Sequence, residues 1–559
     1  MPFRPRKLLD WLCLAALVAL AAAWASRPLT HDDLFGHLRA GEWMAAHRTV
    51  PRTDPFSFTR PGARWIAHEW GFSLLAWGIW LLAGYPGLIA ARVILVLAIG
   101  AAVGWRMAAT AGPDPPRSIP WIAALLGLGL WAVAAELILR AALVSELFLA
   151  LTLVFLTWFR QTGERRFLVF LVVLFFLWGN LHSGVIFGLY VLGLFAVEGG
   201  VMTLGAAALA MLASLLNPNG IEVWLYPFKL SRILFASGIE WDLGHFAAAD
   251  PRSNSAFLLL GVLLLAGLIP LERLRAVSIA EGVAILTFLG LSFRSPRFLF
   301  HFAILALPVL YRLHAHRAST PTRRRIGTAA VVLALTLTAA AAWLDHPRRL
   351  IAPELPEGAV RFLAANGLRG RVFNHQNYGG FLLWRARLPV FWDGRNDVFA
   401  SLVQEVTTTP FPAIVQRYGI DFLLITEHEY PGIQPEIPGR WGLVYWDDDS
   451  AVYLRRDGPF APLLPRLELR LFPGFGGRPG LERLARSPAF AAAAREELAR
   501  VLAFNPENQR ALYFRGVISL SQGDLQRAGS ELRSALAIRP NEQVEKALAV
   551  VAAAARRGR

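Results

Sequence analysis

Apolar residues in this chain come in blocks. Between residues 8 and 344 they form stretches of about 14–24, broken by short segments rich in Pro, Gly and Arg. About 20 residues at a rise of ~1.5 Å cross a ~30 Å hydrocarbon core, so this spacing predicts membrane helices. The composition agrees. A chain of 559 residues that is 55% hydrophobic and 17% charged is too apolar for an ordinary soluble enzyme. The fold class expected is a polytopic α-helical membrane protein.

The net charge of +16 does not indicate a nucleic-acid partner, because many of the basic residues sit in short loops between apolar runs. Cys13 is the only cysteine, so no intramolecular disulfide forms. Arg4, Arg6 and Lys7 followed by Leu8–Ala25 resemble a signal peptide, with Ala21, Ala22 and Ala23 as small residues for cleavage. The many later apolar runs favour an uncleaved first helix.

Topology turns on one segment. If Trp70–Ala83 crosses the membrane, Arg160, Arg165 and Arg166 fall outside, against the positive-inside rule. The segment is only about 21 Å long as a helix, and Trp70, Trp77 and Trp80 suit an interface. As an interfacial or re-entrant helix it removes the conflict. About eleven spans then follow: 8–25, 86–109, 120–138, 146–160, 167–180, 184–200, 201–216, 254–270, 278–293, 299–313 and 326–344. Cytoplasmic loops hold Arg106 and Arg117, Arg160–Arg166, Arg273 and Arg275, and His314–Arg325. Residues 1–345 form the membrane domain, with a first outer loop over 26–85, and the rest lies outside.

Residues 346–460 read as a small extracytoplasmic α/β domain. Strands are expected at Arg371–Phe373, Pro389–Trp392 and Asp421–Ile425, with a hairpin over Leu443–Leu454 turning at an acidic tip. Helices are expected at Ala359–Asn366 and Pro412–Tyr418. Residues 461–480 read as a Pro/Gly-rich linker. In 481–559, Ala528, Leu532, Ala535 and Pro540 repeat Ala494, Leu498, Val501 and Pro506 at a spacing of 34, the tetratricopeptide period. The alternative for this tail is a plain amphipathic helical segment.

Candidate chemistry gathers on the outer face. The first outer loop opens with Thr30, His31, Asp32, Asp33 and His37 and closes with His68, Glu69 and Trp70. Two adjacent carboxylates beside histidines suit a general base or a divalent cation. Thr30 or Asp32 would also cap a helix over 33–46, but capping accounts for one acid and not two. Arg140 and Glu146 lie at outer span ends, where an ionisable pair either anchors helix ends or lines a cavity. His182 interrupts two spans, and Asn217–Gly220 closes another as a turn. Arg294 and Arg297 stand on the outer face against the positive-inside trend, as an anionic partner such as phosphate would require; lipid headgroups are the bland alternative. Asp393, Arg395 and Asp397 form a polar cluster denser than a turn needs. The sequence has no Walker loop, GxGxxG, HExxH, GxSxG or CxxC pair.

The segments HDDLFGHLRAGEWMAAHRTVPRTDPFSF, HEWGF, NLHSG, LLNPNG, FRSPRF and NYGGFLLW…VFWDGRND, in this order, resemble bacterial members of the GT-C superfamily of membrane glycosyltransferases, over roughly residues 8–460. The resemblance implies a polyprenyl-phosphate sugar donor, a glycan, lipid or protein acceptor on the outer face, and residence in the bacterial cytoplasmic (inner) membrane. By it, Asp32 or Asp33 deprotonates the acceptor or helps bind a metal (Mg or Mn), and Glu146 is the second acid. Arg140, Arg294 and Arg297 balance phosphate charge, while His37, His68, Glu69 and His182 contact substrate. Relatives often carry Asp where Glu146 stands, and some place a lysine near His182. The expected function is transfer of a hexosyl or pentosyl group from the lipid carrier. The alternatives are a non-catalytic scaffold that recruits an envelope protein through 481–559, or a transporter of a lipid-linked substrate. A transporter would carry ionisable residues on both faces and near the midplane.

Overall fold

A computed structural model describes residues 8–111, 118–237, 251–269, 271–314, 321–347, 349–426, 437–472 and 487–557. The chain divides into two compact units, one of residues 1–52 and 64–351, the other of 53–63 and 352–559.

Among the described residues the main elements of the first unit are helices. Its helices are α1 (Leu8–Ala25), α2 (Asp32–His47), α3 (Trp70–Thr110), α4 (Ile119–Ala132), α5 (Ala141–Thr162), α6 (Arg166–Leu181) and α7 (Val185–Gly199). They continue as α8 (Val201–Ser214), α9 (Glu222–Ser237), α10 (Pro251–Leu268), α11 (Ile279–Arg294), α12 (Leu299–His314) and α13 (Pro321–Leu344). Among the described residues, five helices are long and apolar enough to cross a membrane, and five shorter apolar helices accompany them. These apolar helices fit a helical membrane protein.

α3 is 41 residues long, about twice what a bilayer needs. It is broken at Gly84, which takes φ 57 and ψ −151 ahead of Pro86, so Trp70–Ala83 and the segment after it are separate helical pieces. The first piece packs along α2. Gly41 makes that possible, since a Cβ there would strike the Ser73 carbonyl and the Trp77 side chain.

Arg106 corrects the sequence reading. It lies within α3 rather than in a loop, is buried, and donates to Glu281 at 2.9 Å, while Arg312 donates to the other oxygen of Glu281. Glu281 also completes a capping box with Ser278 at the start of α11. Buried charge is tolerated here because it is paired. The expected span 120–138 is shorter as a helix: α4 ends at Ala132 and a 3-10 turn, Ala134–Glu136, follows. The basic residues expected at 315–320 and Arg117 lie outside the described residues.

The second unit contains a four-stranded sheet in the order β1-β2-β4-β3, with β1 Val372–Asn374, β2 Phe422–Ile425, β3 Trp441–Trp446 and β4 Ala451–Arg455. β1 and β2 are parallel and the other pairings antiparallel. The acidic tip of the β3–β4 hairpin is Asp447, Asp448 and Asp449. Asp447 accepts from the Ser450 amide and hydroxyl, and Asp448 accepts from the first amides of the helix Gln509–Ser521. The run Pro389–Trp392 is not a strand of this sheet; Val390 makes a single bridge to Ser57.

Two boundaries differ from the sequence reading. Residues 346–351 belong with the first unit, where the Leu29 amide donates to Leu350 and Leu29 pairs with Ile351. Residues 53–63, inside the first outer loop, belong to the second unit. Asp54 accounts for this. Fully buried, it accepts from the Phe56 and Ser57 amides and pairs with Arg395 at 2.7 Å, while Arg395 also forks onto both oxygens of Asp393. The Asp393–Arg395 cluster is therefore a clamp on this loop. Within the expected linker 461–480, residues 461–472 are folded: Leu464 and Phe472 are buried and the Leu469 amide donates to Leu443. Residues 473–480 lie outside the described residues.

Four helices end the chain: Pro488–Phe504, Gln509–Ser521, Leu525–Leu536 and Glu542–Arg557. Ala528, Leu532 and Ala535 form the buried seam of this segment, and Gly516 lets the second helix approach Leu532.

Candidate active site

The site is built at one end of the first unit, from the start of α2, the start of α3, the α4–α5 connection, the α6–α7 turn and the start of α12. His31, not Thr30 or Asp32, caps α2: its Nδ1 accepts from the Asp33 amide at 3.4 Å. The same nitrogen lies 3.2 Å from Asp33 Oδ2. Asp32 is buried at the head of the helix. Burial pushes the Asp33 carboxyl up, but His31, Arg140 and His37 outweigh it and hold it below the usual carboxylate range. Asp33 is thus a fixed negative charge in a positive environment.

Glu69, just before α3, is the hub of the cluster. Its carboxylate faces three imidazoles: His37 Nε2 at 3.5 Å, His182 Nε2 at 3.5 Å and His68 Nε2 at 3.7 Å. Close approach of the backbone brings these elements together, since a Cβ on Gly71 would stand 2.7 Å from the Asn180 carbonyl. Asn219, in the turn after α8, donates to the Ala67 carbonyl at 3.2 Å, and Tyr226 stacks on His68 with ring centroids 3.7 Å apart. The Asn217–Gly220 turn therefore helps hold the His68–Glu69 segment.

Hydrogen-bond partners indicate the tautomers. The Ser73 hydroxyl donates to the Glu69 carbonyl, so His37 Nδ1 carries a hydrogen toward Ser73 at 2.9 Å. His68 Nδ1 likewise faces the Ile66 carbonyl at 3.1 Å. Both rings, when neutral, turn an Nε2 lone pair toward Glu69. His182 is the reverse: its Nδ1 accepts from the Gly184 amide and contacts Ser145, leaving Nε2–H toward Glu69. Trp178 donates to Ser145 at 2.6 Å and fixes that hydroxyl. Two imidazoles thus present Nε2 to the carboxylate.

Arg140, immediately before α5, pairs with Glu136 at 3.1 Å and lies within electrostatic reach of Asp33 and of His182. Glu146 sits in the second turn of α5, buried, with Oε1 3.0 Å from His301 Nδ1. That contact is off the hydrogen-bond direction, so Glu146 Oε2 and both His301 nitrogens are buried without a hydrogen bond among the described residues. His301 is within electrostatic reach of His182, and Glu136 of Glu146. Arg294 and Arg297 are exposed at the turn from α11 to α12, the turn that leads into His301.

The structure brings Asp33, His37, His68, Glu69, Arg140, His182 and Glu146 into one region and leaves Asp393, Arg395 and Asp397 to the second unit. It adds Glu136, Ser73, Ser145 and His301. Glu136 was signalled by its i, i+4 spacing to Arg140. His301 carried no signal, since it lies within an apolar run. Among the described residues, no group of three His, Cys, Asp or Glu side chains has the arrangement of a metal site. The cation expected at Asp32 and Asp33 does not fit the site, because hard cations favour more oxygen ligands than the imidazoles and Arg140 around Asp33 provide.

No protein-family profile and no curated protein matches the sequence. Solved structures do match in fold. The archaeal oligosaccharyltransferase AglB from Archaeoglobus fulgidus, in complex with an inhibitory peptide and a dolichol-phosphate, aligns at TM-score 0.50 and 10% identity, over 78% of this chain and 72% of that one. ArnT from Cupriavidus metallidurans, bound to undecaprenyl phosphate, aligns at TM-score 0.48 and 14% identity, over 80% of this chain and 98% of that one. At these identities the likeness is one of architecture: the chain shares the fold of that archaeal oligosaccharyltransferase.

Proposed function

We propose that this protein is a membrane glycosyltransferase that moves a sugar from a polyprenyl-phosphate donor to an acceptor on the extracytoplasmic face. The observation that carries the reading is the convergence of an ionised acid, Asp33, with Arg140 and His182 beside the buried Glu146–His301 pair. AglB, whose fold the chain shares, was solved with a dolichol-phosphate and a peptide, which supports a lipid phosphate and an acceptor as the two ligand classes. The face is supported by the arginine-rich loop at 160–166 between α5 and α6, opposite the site end of those helices. It is also supported by segment 53–63, which ties the first outer loop to the second unit.

In this reading the acceptor oxygen attacks the anomeric carbon as the sugar–phosphate bond breaks. The bonding pair leaves with the phosphate oxygen, and the acceptor proton passes to Asp33 and on to a neighbouring imidazole, His37 or His68. Arg140 exchanges Glu136 for the donor phosphate and stabilises its charge as the bond opens. Glu146 and His301 hold sugar hydroxyls, which would satisfy their orphaned atoms. Arg294 and Arg297 guide the anionic donor to the site. The tail 488–557, read as tetratricopeptide-like, is a docking platform for a protein partner.

The test is the lipid content of a deletion strain. Accumulation of one polyprenyl-phosphate sugar together with loss of one glycan is expected. Unchanged lipid carriers and glycoconjugates would overturn the reading.

A further inference from the structure

α5 carries three threonines, Thr152, Thr157 and Thr162, and each hydroxyl donates to the carbonyl four residues back. Ser145, in the second turn of the same helix and buried, turns to its neighbours instead. Its Oγ accepts from Trp178 Nε1 at 2.6 Å and lies 2.7 Å from His182 Nδ1. An indole N–H only donates. With that donor on the serine oxygen, the serine's own hydrogen points at Nδ1. The Gly184 amide reaches the same nitrogen at 3.1 Å. A backbone amide cannot exchange its donor for an acceptor, so Nδ1 accepts two bonds and the ring hydrogen sits on Nε2.

Packing holds this chain of donors in place. Trp178 is fully buried, and Gly188 makes room for it, since a Cβ there would strike the indole ring. Gly184 serves the other end, where a Cβ would stand 2.6 Å from His182 Nδ1 and 2.9 Å from Ser145 Oγ. The charged surroundings act in the same direction. Burial, and then His68, Arg140, His301 and His37, hold His182 well below the usual histidine range. Glu69, 3.5 Å from Nε2, pulls the other way. His37 and His68 are built in the opposite sense: their Nδ1 atoms face Ser73 and the Ile66 carbonyl, so Nε2 is the atom that can take a proton.

We infer that Ser145 and Trp178 are positioning residues that lock His182 as a neutral imidazole presenting only Nε2–H, so that it donates a hydrogen bond to an anionic ligand and stays out of proton transfer. The inference rests on the proposed transfer, in which that anion is the donor phosphate beside Arg140. It leaves His37 and His68 as the imidazoles that take up the acceptor proton. A charge on His182, in the same cluster, would make both of them weaker bases.

The experiment uses the full-length protein in detergent with its histidine ring nitrogens isotopically labelled. NMR reports which ring nitrogen carries hydrogen, and His182→Gln identifies the His182 signals. Ser145→Ala and the milder Trp178→Phe break the chain, Ser145→Thr restores the hydroxyl, and thermal unfolding verifies that each variant is folded. In the wild type, His182 keeps a bare Nδ1 and does not titrate between about pH 5.5 and 8.5. In Ser145→Ala and Trp178→Phe its signals titrate within that range. Transfer in both falls about tenfold at pH 6 and much less at pH 8, while Ser145→Thr behaves as the wild type. A wild-type His182 that carries hydrogen on Nδ1, or that titrates as in the variants, overturns the lock. So do unchanged His182 signals in both variants, which would make Ser145 and Trp178 packing residues only. Titration in the variants without loss of transfer at pH 6 removes the lock's part in the reaction. If instead the NMR results are as stated and the wild type transfers no sugar from any polyprenyl-phosphate donor, it is the proposed function that fails.

Discussion

Two polar clusters in this molecule are built from the same kinds of side chain and behave differently. In the second unit, Arg395 forks onto Asp393 and Asp54 at 2.7–2.8 Å, and Asp54 also takes two backbone amides. Burial works against the Arg395 charge, but Asp393 and Asp54 hold the guanidinium more firmly protonated than usual. In the first unit, three imidazoles stand 3.5–3.7 Å from Glu69, at ion-pair distance. Nearby, Glu146 and His301 keep buried polar atoms without hydrogen bonds among the described residues. A polar cluster whose bonds are closed internally fixes structure. The Glu146–His301 pair, with buried atoms unsatisfied among the described residues, has capacity for a ligand.

The comparison breaks most visibly at Arg395. Arg395→Leu strands two buried carboxylates and should cost about 3–5 kcal/mol of stability, read as a lower melting temperature of the full chain and as proteolysis within 53–63. A stable variant would mean that the clamp is not what holds that loop. At the open cluster the expected effects are reversed. Glu146→Gln should lower transfer about a hundredfold while leaving the melting temperature within a degree or two of the wild type. A large loss of stability there would show that Glu146 is closed into the structure after all.

Asp449 sharpens the rule inside the second unit. Burial, with Asp447 and Asp448 nearby, pushes its carboxyl up to about 7 against the pull of Arg539. The folded state therefore keeps a proton that the unfolded chain releases near pH ~4. Stability from this group falls as pH rises from about 4 to 7 and stays low above that. Asp449→Asn should raise stability at pH 8 by about 2 kcal/mol, allowing for partial exposure, and leave it unchanged at pH 4. An equal gain at both pH values would sink the titration argument. The smallest effect belongs to the tail: Gly516→Ala sets a Cβ 2.6 Å from Leu532 Cγ and should cost about 1 kcal/mol, measured by hydrogen exchange in the last two helices.

How much of this was legible in the sequence depends on range. Local patterns read well. The alternating strands at Leu443–Leu454, the helices at Ala359–Asn366 and Pro412–Tyr418 and the break after Ala83 all appear where residue type alone constrains the backbone. Pro389–Trp392 has strand composition, yet Asn374 takes its carbonyl and amide groups, donating to the Trp392 oxygen and accepting from the Phe391 amide. The Asp54–Arg395 pair joins residues 341 positions apart, so nothing local marked 53–63 as part of the second unit. In the site, Asp33, His37, Glu69, Arg140, Glu146 and His182 stood out as polar residues at the ends of apolar runs. His301 did not, because a single histidine on a buried helix face is indistinguishable from a packed one until its neighbour is known.

The central claim is that the open cluster carries out sugar transfer from a lipid phosphate. It is tested most directly by purifying the full-length protein and its Asp33→Asn variant and following release of a labelled sugar from the polyprenyl-phosphate donor that accumulates in the deletion strain. The account predicts a loss of at least about a hundredfold in the variant, with unchanged melting temperature and unchanged binding of undecaprenyl phosphate. Wild-type turnover by Asp33→Asn would contradict it.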